Sequence, residues 1–233
     1  MIQKAKKSYS SSTYLLLFTF LLFYLPLHSQ DTHALLLEPV VRVVINDTDS
    51  WSYSFGVAHR GILLETYDKK RINGYNTEHL EFNHYTRYRI SGSSAVALRF
   101  RYRINTWFNE SRTNEQRIIQ EYLLVPGSSF LNLWHRARFE QRFVDDFTIF
   151  RGRYRIGITQ ALSQEFSIGA STEALYSLSS KLKPQPEQRF MLSLENTSID
   201  DLDLNVGLEY RLDNYIRDPV RHTFIYTSAT IYL

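Results

Sequence analysis

The residues from 130 to 158, FLNLWHRARFEQRFVDDFTIFRGRYRIGI, narrow the choice of fold more than any other stretch. Every second residue from Asn132 gives Trp134, Arg136, Arg138, Glu140 and Arg142, and between them lie Leu133, His135, Ala137, Phe139, Gln141 and Phe143. After Asp145 and Asp146 the alternation resumes, with Arg151, Arg153 and Arg155 on one face and Thr148, Phe150, Gly152, Tyr154, Ile156 and Ile158 on the other. A period of two means two β-strands, and the aspartate pair between them predicts a tight hairpin. One face of this hairpin is apolar and aromatic, and the other is a ladder of guanidinium groups.

The same alternation recurs along the chain. It is present over residues 51–64, 82–90, 95–107, 114–124, 165–176, 188–196, 201–212 and 222–233. With the two strands of the hairpin this makes ten strands, and no helical periodicity is long enough to compete. The connections alternate in length. Residues 65–81, 108–113, 178–187 and 213–221 read as long loops, while 91–93, 126–128, 161–164 and 197–200 read as short turns. Short turns at one end and long loops at the other are the pattern of a transmembrane barrel with periplasmic turns and external loops. The expected fold class is therefore all-β: an antiparallel up-and-down transmembrane β-barrel of about ten strands, with twelve still open, built from residues 51–233. An even strand number puts both chain ends at the short-turn rim. Residues 30–50 form an N-terminal segment of undetermined structure, an extra strand or a piece packed at one mouth of the barrel.

Residues 1–29 read as a secretory signal peptide. Lys4, Lys6 and Lys7 precede an apolar run from residue 14 to residue 27, and Ser29 supplies a small residue for cleavage. A membrane-spanning helix needs about 20 apolar residues, and this run is shorter. Removing the leader changes the charge balance. The whole chain carries a formal charge of +3, and the leader holds three lysines and no acid, so the exported part is near neutral. A nucleic-acid partner is not indicated. The chain has no cysteine, which excludes a disulfide framework and thiolate chemistry. The expected location is the outer membrane. The expected partners are membrane lipid and the outer-membrane assembly machinery, with the protein itself a monomer.

Fifteen of the twenty arginines fall on the face opposite the aromatics, whereas Lys69, Lys70, Lys181 and Lys183 all fall in long loops. Arginine's planar fork pairs carboxylates and tolerates partial burial, and lysine is a strongly hydrated point charge. The partition therefore predicts an enclosed arginine face. The expected lumen-lining set is Arg87, Arg89, Arg99, Arg101, Arg103, Arg117, Glu121, Arg136, Arg138, Glu140, Arg142, Arg151, Arg153, Arg155, Glu173, Arg189, Glu195, Glu209 and Arg211; Arg60 shares their face. Paired charges would leave a closed or narrow lumen with weak anion preference. The opposite packing would make a soluble periplasmic lipid carrier, with Phe100, Tyr102, Phe139, Phe150 and Tyr154 lining its cavity.

The segments NEQRIIQEY at 114–122, HRARFEQRF at 135–143, RGRYRI at 151–156 and EQRFMLSLEN at 187–196 resemble the core of a bacterial family catalogued as domain of unknown function 2490. The resemblance covers nearly all of the exported chain. It implies an exported outer-membrane-type β protein, often from Bacteroidetes-like bacteria, and brings no activity and no functional residues. The chain ends Ile231-Tyr232-Leu233, with an aliphatic residue where barrels of this type commonly finish on an aromatic.

The sequence offers no catalytic motif, no cofactor site and no metal site. No glycine-rich phosphate loop occurs, and His79, His84 and His135 lack metal-ligand spacing. Neighbouring arginines make Glu140 an ion-pair partner rather than a general acid. A structural barrel or narrow channel is the leading reading. The alternative is an outer-membrane enzyme acting on lipid or lipopolysaccharide through loops 65–81 and 178–187, with a triad assembled from distant strands.

Overall fold

The computed structural model describes residues 33–67, 70–127, 132–217 and 219–233. The expected signal peptide lies outside the described residues. The described residues form eleven strands: β1 (His33–Asn46), β2 (Trp51–Tyr67), β3 (Lys70–Ser91), β4 (Ser94–Ile104), β5 (Glu115–Leu124), β6 (Asn132–Val144), β7 (Phe147–Ala161), β8 (Phe166–Ser179), β9 (Gln185–Ile199), β10 (Leu202–Asp213) and β11 (Val220–Tyr232). They follow one another around a closed barrel. Each strand pairs antiparallel with its sequence neighbour, as in the hairpin that sets Phe139 opposite Gly152 and Val144 opposite Phe147.

The strand count corrects the expectation of ten, because residues 33–46 add a strand at the start. An odd number of alternating strands cannot close with an antiparallel pair. The seam between β1 and β11 is accordingly parallel, running from His33 beside Arg221 to Val44 beside Tyr232. The fully antiparallel barrel and the shared rim for both ends are therefore replaced. The start of β1 and the end of β11 lie at opposite rims.

Alternation failed to announce β1 for two reasons. Pro39 has no N–H to donate, and β1 pairs with β2 at Leu37 and Val40 but not at the two residues between them. The inward residues Ala34 and Leu36 are apolar, so the two faces look alike in sequence; both are buried against Phe224 of β11.

The reading of 65–81 as a loop is also corrected. β2 and β3 continue as a ladder to the pair Tyr67 and Lys70, with register shifts between Arg60 and Gly61 and between Ile62 and Leu64. A spanning strand needs about 9–11 residues. The 22 residues of β3 exceed that by a wide margin: the hairpin runs past its last pair with β4 at Leu80, while β1 follows it as far as Thr66. At the same rim lie residues 105–114, 180–184 and 214–217, and Asp145-Asp146 makes a turn there with Asp145 at φ 50°. This left-handed conformation is one that aspartate tolerates better than most residues.

The period-two pattern sorts side chains as a barrel requires, but with the usual polarity reversed. The largest fully buried side chains are Ile119, Glu81, Glu140 and Glu173. Phe55, Leu98, Phe100, Tyr154 and Leu208 are each about half exposed on the outer face. That outer face continues through Phe139 and Phe150, whose rings stack 6.2 Å apart. The aromatic-lined cavity of a lipid carrier is thus overturned: Phe100, Phe139, Phe150 and Tyr154 point away from the interior, which arginines line instead.

Candidate functional site

The interior holds a cavity of about 610 Å³. Its lining includes Arg87, Arg99, Arg101, Arg103, Arg117, Glu121, Arg136, Arg138, Arg142, Arg151, Arg153, Arg155, Arg189, Glu209 and Arg211. Glu140 and Glu173 lie behind this lining, at 0% and 1% exposure. Arg89 and Glu195 share the inward parity but do not line the cavity. Arg89 is exposed near the end of β3, and Glu195 accepts a hydrogen bond from the Ser167 hydroxyl at 3.1 Å.

Four carboxylates organise most of the arginines. Glu115 receives Arg142 through both oxygens, Nε at 2.7 Å and Nη2 at 2.8 Å, and is also bonded by Arg117. Glu81 takes Arg103 Nη2 at 2.5 Å and Arg101 Nη1 at 3.0 Å. Glu173 gathers Arg138, Arg153 at 2.6 Å and Arg155 at 3.0 Å, and Arg153 reaches on to Glu140 at 2.6 Å. Glu209 is bonded by Arg211 and lies 3.4 Å from Arg155. Such short, charge-assisted contacts are strong where water is excluded, and they offset the cost of burying the ions.

These pairs lie within one strand or join strands at most three apart around the wall, as in Arg155 of β7 with Glu209 of β10. They run along the wall instead of across the lumen, which is why the interior is not filled. The expectation that ion pairs would fill it is revised accordingly.

Positive charge is in excess. Among the described residues fifteen arginines line the cavity against six acids, and Glu115, Glu140 and Glu173 behind the lining bring the acids to nine, leaving six positive charges unmatched. Among the described residues no carboxylate lies within 4.0 Å of Arg42, Arg87, Arg136 or Arg151. Arg151 donates to the Ser177 hydroxyl at 2.9 Å. Aromatic rings take part of the load: Arg211 and Arg60 lie 3.6 and 4.9 Å from the centre of the Phe224 ring, Arg99 lies 4.6 Å from Tyr85 and Arg136 5.7 Å from Trp134. Trp134 fits because its register partner is Gly157, where a Cβ would fall 2.3 Å from the indole.

Sequence reasoning missed Glu38, Arg42, Glu81, Tyr85 and Glu187, all of which line the cavity. Glu81 and Tyr85 share the parity of Arg87, and Glu187 that of Arg189, so extending the alternation outward would have found them. Glu38 and Arg42 were hidden by the ambiguous segment around Pro39. Outside the strands, Asp146 is held below the usual carboxylate range by its hydrogen bond from Lys181.

For the enzymatic alternative, the relevant geometry is that of the histidines. His79 meets Glu81 at 3.4 Å and His222 meets Asp213 at 3.0 Å, whereas His33, His59 and His84 meet threonine hydroxyls. Among the described residues no histidine joins a hydroxyl to a carboxylate. Among the same residues no three side chains of metal-ligating type converge. A family model described as a protein of unknown function (DUF2490) matches residues 40–221. A search of curated proteins found no match.

Proposed function

The chain belongs to this family of proteins of unknown function, and since membership carries no activity we infer the function from the barrel: we propose an outer-membrane barrel with a narrow, anion-preferring passage. The observation that carries the proposal is the inverted burial. Glu81, Glu140 and Glu173 are enclosed while Phe55, Leu98 and Leu208 are each 54% exposed or, for the acids, no more than 2%. Soluble monomers rarely leave an apolar band of this extent facing water. In hydrocarbon the same band is favourable, and closure gives every strand a neighbour on both edges, as a bilayer demands.

The odd strand number departs from the even counts of most bacterial outer-membrane barrels, though odd counts occur in other membrane barrels. The six unmatched arginine charges favour anions over cations in the lumen. Two measurements test the proposal. The protein should fractionate with the outer membrane and migrate differently on a detergent gel before and after boiling. In a planar bilayer it should give a small conductance with anion selectivity. Recovery in the soluble fraction without detergent, or a large cation-selective conductance, would overturn the reading.

A further inference from the structure

We propose that the part of the cavity between Arg87, Arg99, Arg136 and Arg138 is a binding site for a phosphate-type oxyanion. It lies toward the rim of the short turns and rests on the charged interior, independently of the membrane setting. The register brings these residues together. Tyr85 pairs with Arg99 and Arg87 with Ala97. Ala97 pairs with Glu121, Glu121 pairs with Arg138, and Arg136 is the next inward residue on β6. Ala97 is a small side chain within this row of long ones, which leaves room in front of it.

Charge compensation is loosest here. Elsewhere in the lumen each organising carboxylate holds an arginine at 3.0 Å or less. Here Glu121 stands 3.8 Å from Arg99 and 4.0 Å from Arg138, and among the described residues no acid stands within 4.0 Å of Arg87 or Arg136. Arg138 is held from its other side by Glu173, so Arg87, Arg99 and Arg136 have only the distant Glu121 to answer them. Among the described residues the Nε atoms of Arg99, Arg136 and Arg138 are buried without a hydrogen-bond partner, as is Oε2 of Glu121, which none of them reaches. Unmet donors of this kind are costly in the absence of an acceptor.

The guanidinium planes are also held in position. Arg99 lies over Tyr85 and Arg136 over Trp134, which leaves their N–H edges free to donate. The Tyr85 hydroxyl is engaged with Glu121 at 2.7 Å and does not compete. Planar forks arranged around one space match the several oxygens of a tetrahedral oxyanion, and a spherical halide uses them poorly.

The test uses the full barrel refolded in detergent, with folding checked by its shift on an unboiled gel. Titration calorimetry with inorganic phosphate, at constant ionic strength in chloride, should show saturable binding. Arg136→Gln and Arg87→Gln should each weaken it tenfold or more, and Arg112→Gln, on the loop at the opposite rim, should not. Glycerol phosphate and a short-chain phospholipid as further titrants distinguish a free phosphate from a lipid headgroup; tighter binding of either supports the site. Should a variant fail to fold, the preference of the unaltered protein for phosphate over chloride decides. Absence of that preference, or binding indifferent to both variants, overturns the proposal. Such a failure leaves the membrane reading standing, since that reading is tested by fractionation.

Discussion

Glu173 is the side chain on which the interior most depends, and replacing it with glutamine tests how the charge network is balanced. The substitution keeps the shape and removes the charge. Glu173 is 1% exposed and meets Arg138, Arg153 and Arg155. After the change Arg153 keeps Glu140 at 2.6 Å and Arg155 keeps Glu209 at 3.4 Å. Arg138 keeps only Glu121, at 4.0 Å, and its side chain is 7% exposed. Breaking a buried ion pair by removing one partner costs about 3–5 kcal/mol, mostly because the other ion is left buried. With an m-value of roughly 2–3 kcal/mol/M, the midpoint of urea unfolding should fall by about 1–2.5 M. Folding into lipid vesicles, followed by tryptophan fluorescence and gel mobility, measures this directly. Adding Arg138→Met to Glu173→Gln should recover part of the loss, because the stranded cation is then gone. A single-variant cost below about 1 kcal/mol, or strict additivity in the double variant, would refute the reasoning.

Further predictions concern the two faces and the turns. Phe139→Arg puts a charge on the outer face, where a cation at mid-bilayer costs about 2–4 kcal/mol, and should block assembly into vesicles; Arg138→Ala should still assemble. Equal assembly of the two variants would reverse the assignment of inside and outside. Gly157→Ala drives a methyl group into Trp134 and Ser171 and should cost about 1–3 kcal/mol, with a shifted tryptophan emission in the folded state. Asp145, at φ 50°, should accept glycine with little change in unfolding midpoint, whereas Asp145→Val should cost about 1–2 kcal/mol.

Much of this architecture was legible because a barrel wall makes the two faces of each strand chemically distinct. Ten strands announced themselves by alternation, and the arginine face of β6 and β7 turned out to line one cavity. Legibility failed where the two faces stop differing. The first residues of β3 run KRINGYNTE, largely polar at both parities, and they lie beyond its last pair with β4 at Leu80. In β1 the converse holds, with Leu36 turned inward onto Phe224, so that both faces are apolar. The parallel seam was invisible for another reason. It follows from the parity of the total strand count, and no local stretch carries that information. The unmatched arginines were likewise illegible, since counting shared parity shows which charges face each other but not which of them come within reach.

The seam has a practical consequence for anyone re-engineering the chain. Joining the end of β11 to the start of β1 would, in a barrel with an even strand count, take a turn of a few residues. Here Tyr232 sits beside Val44 while His33 sits beside Arg221, eleven residues along the seam. At about 3.3 Å per residue the gap is roughly 36 Å. A circular permutant therefore needs a linker as long as a further strand, laid along the wall or threaded through the lumen. The same geometry makes a ruler of the protein: epitopes fused before His33 and after Tyr232 would mark opposite rims of a single barrel.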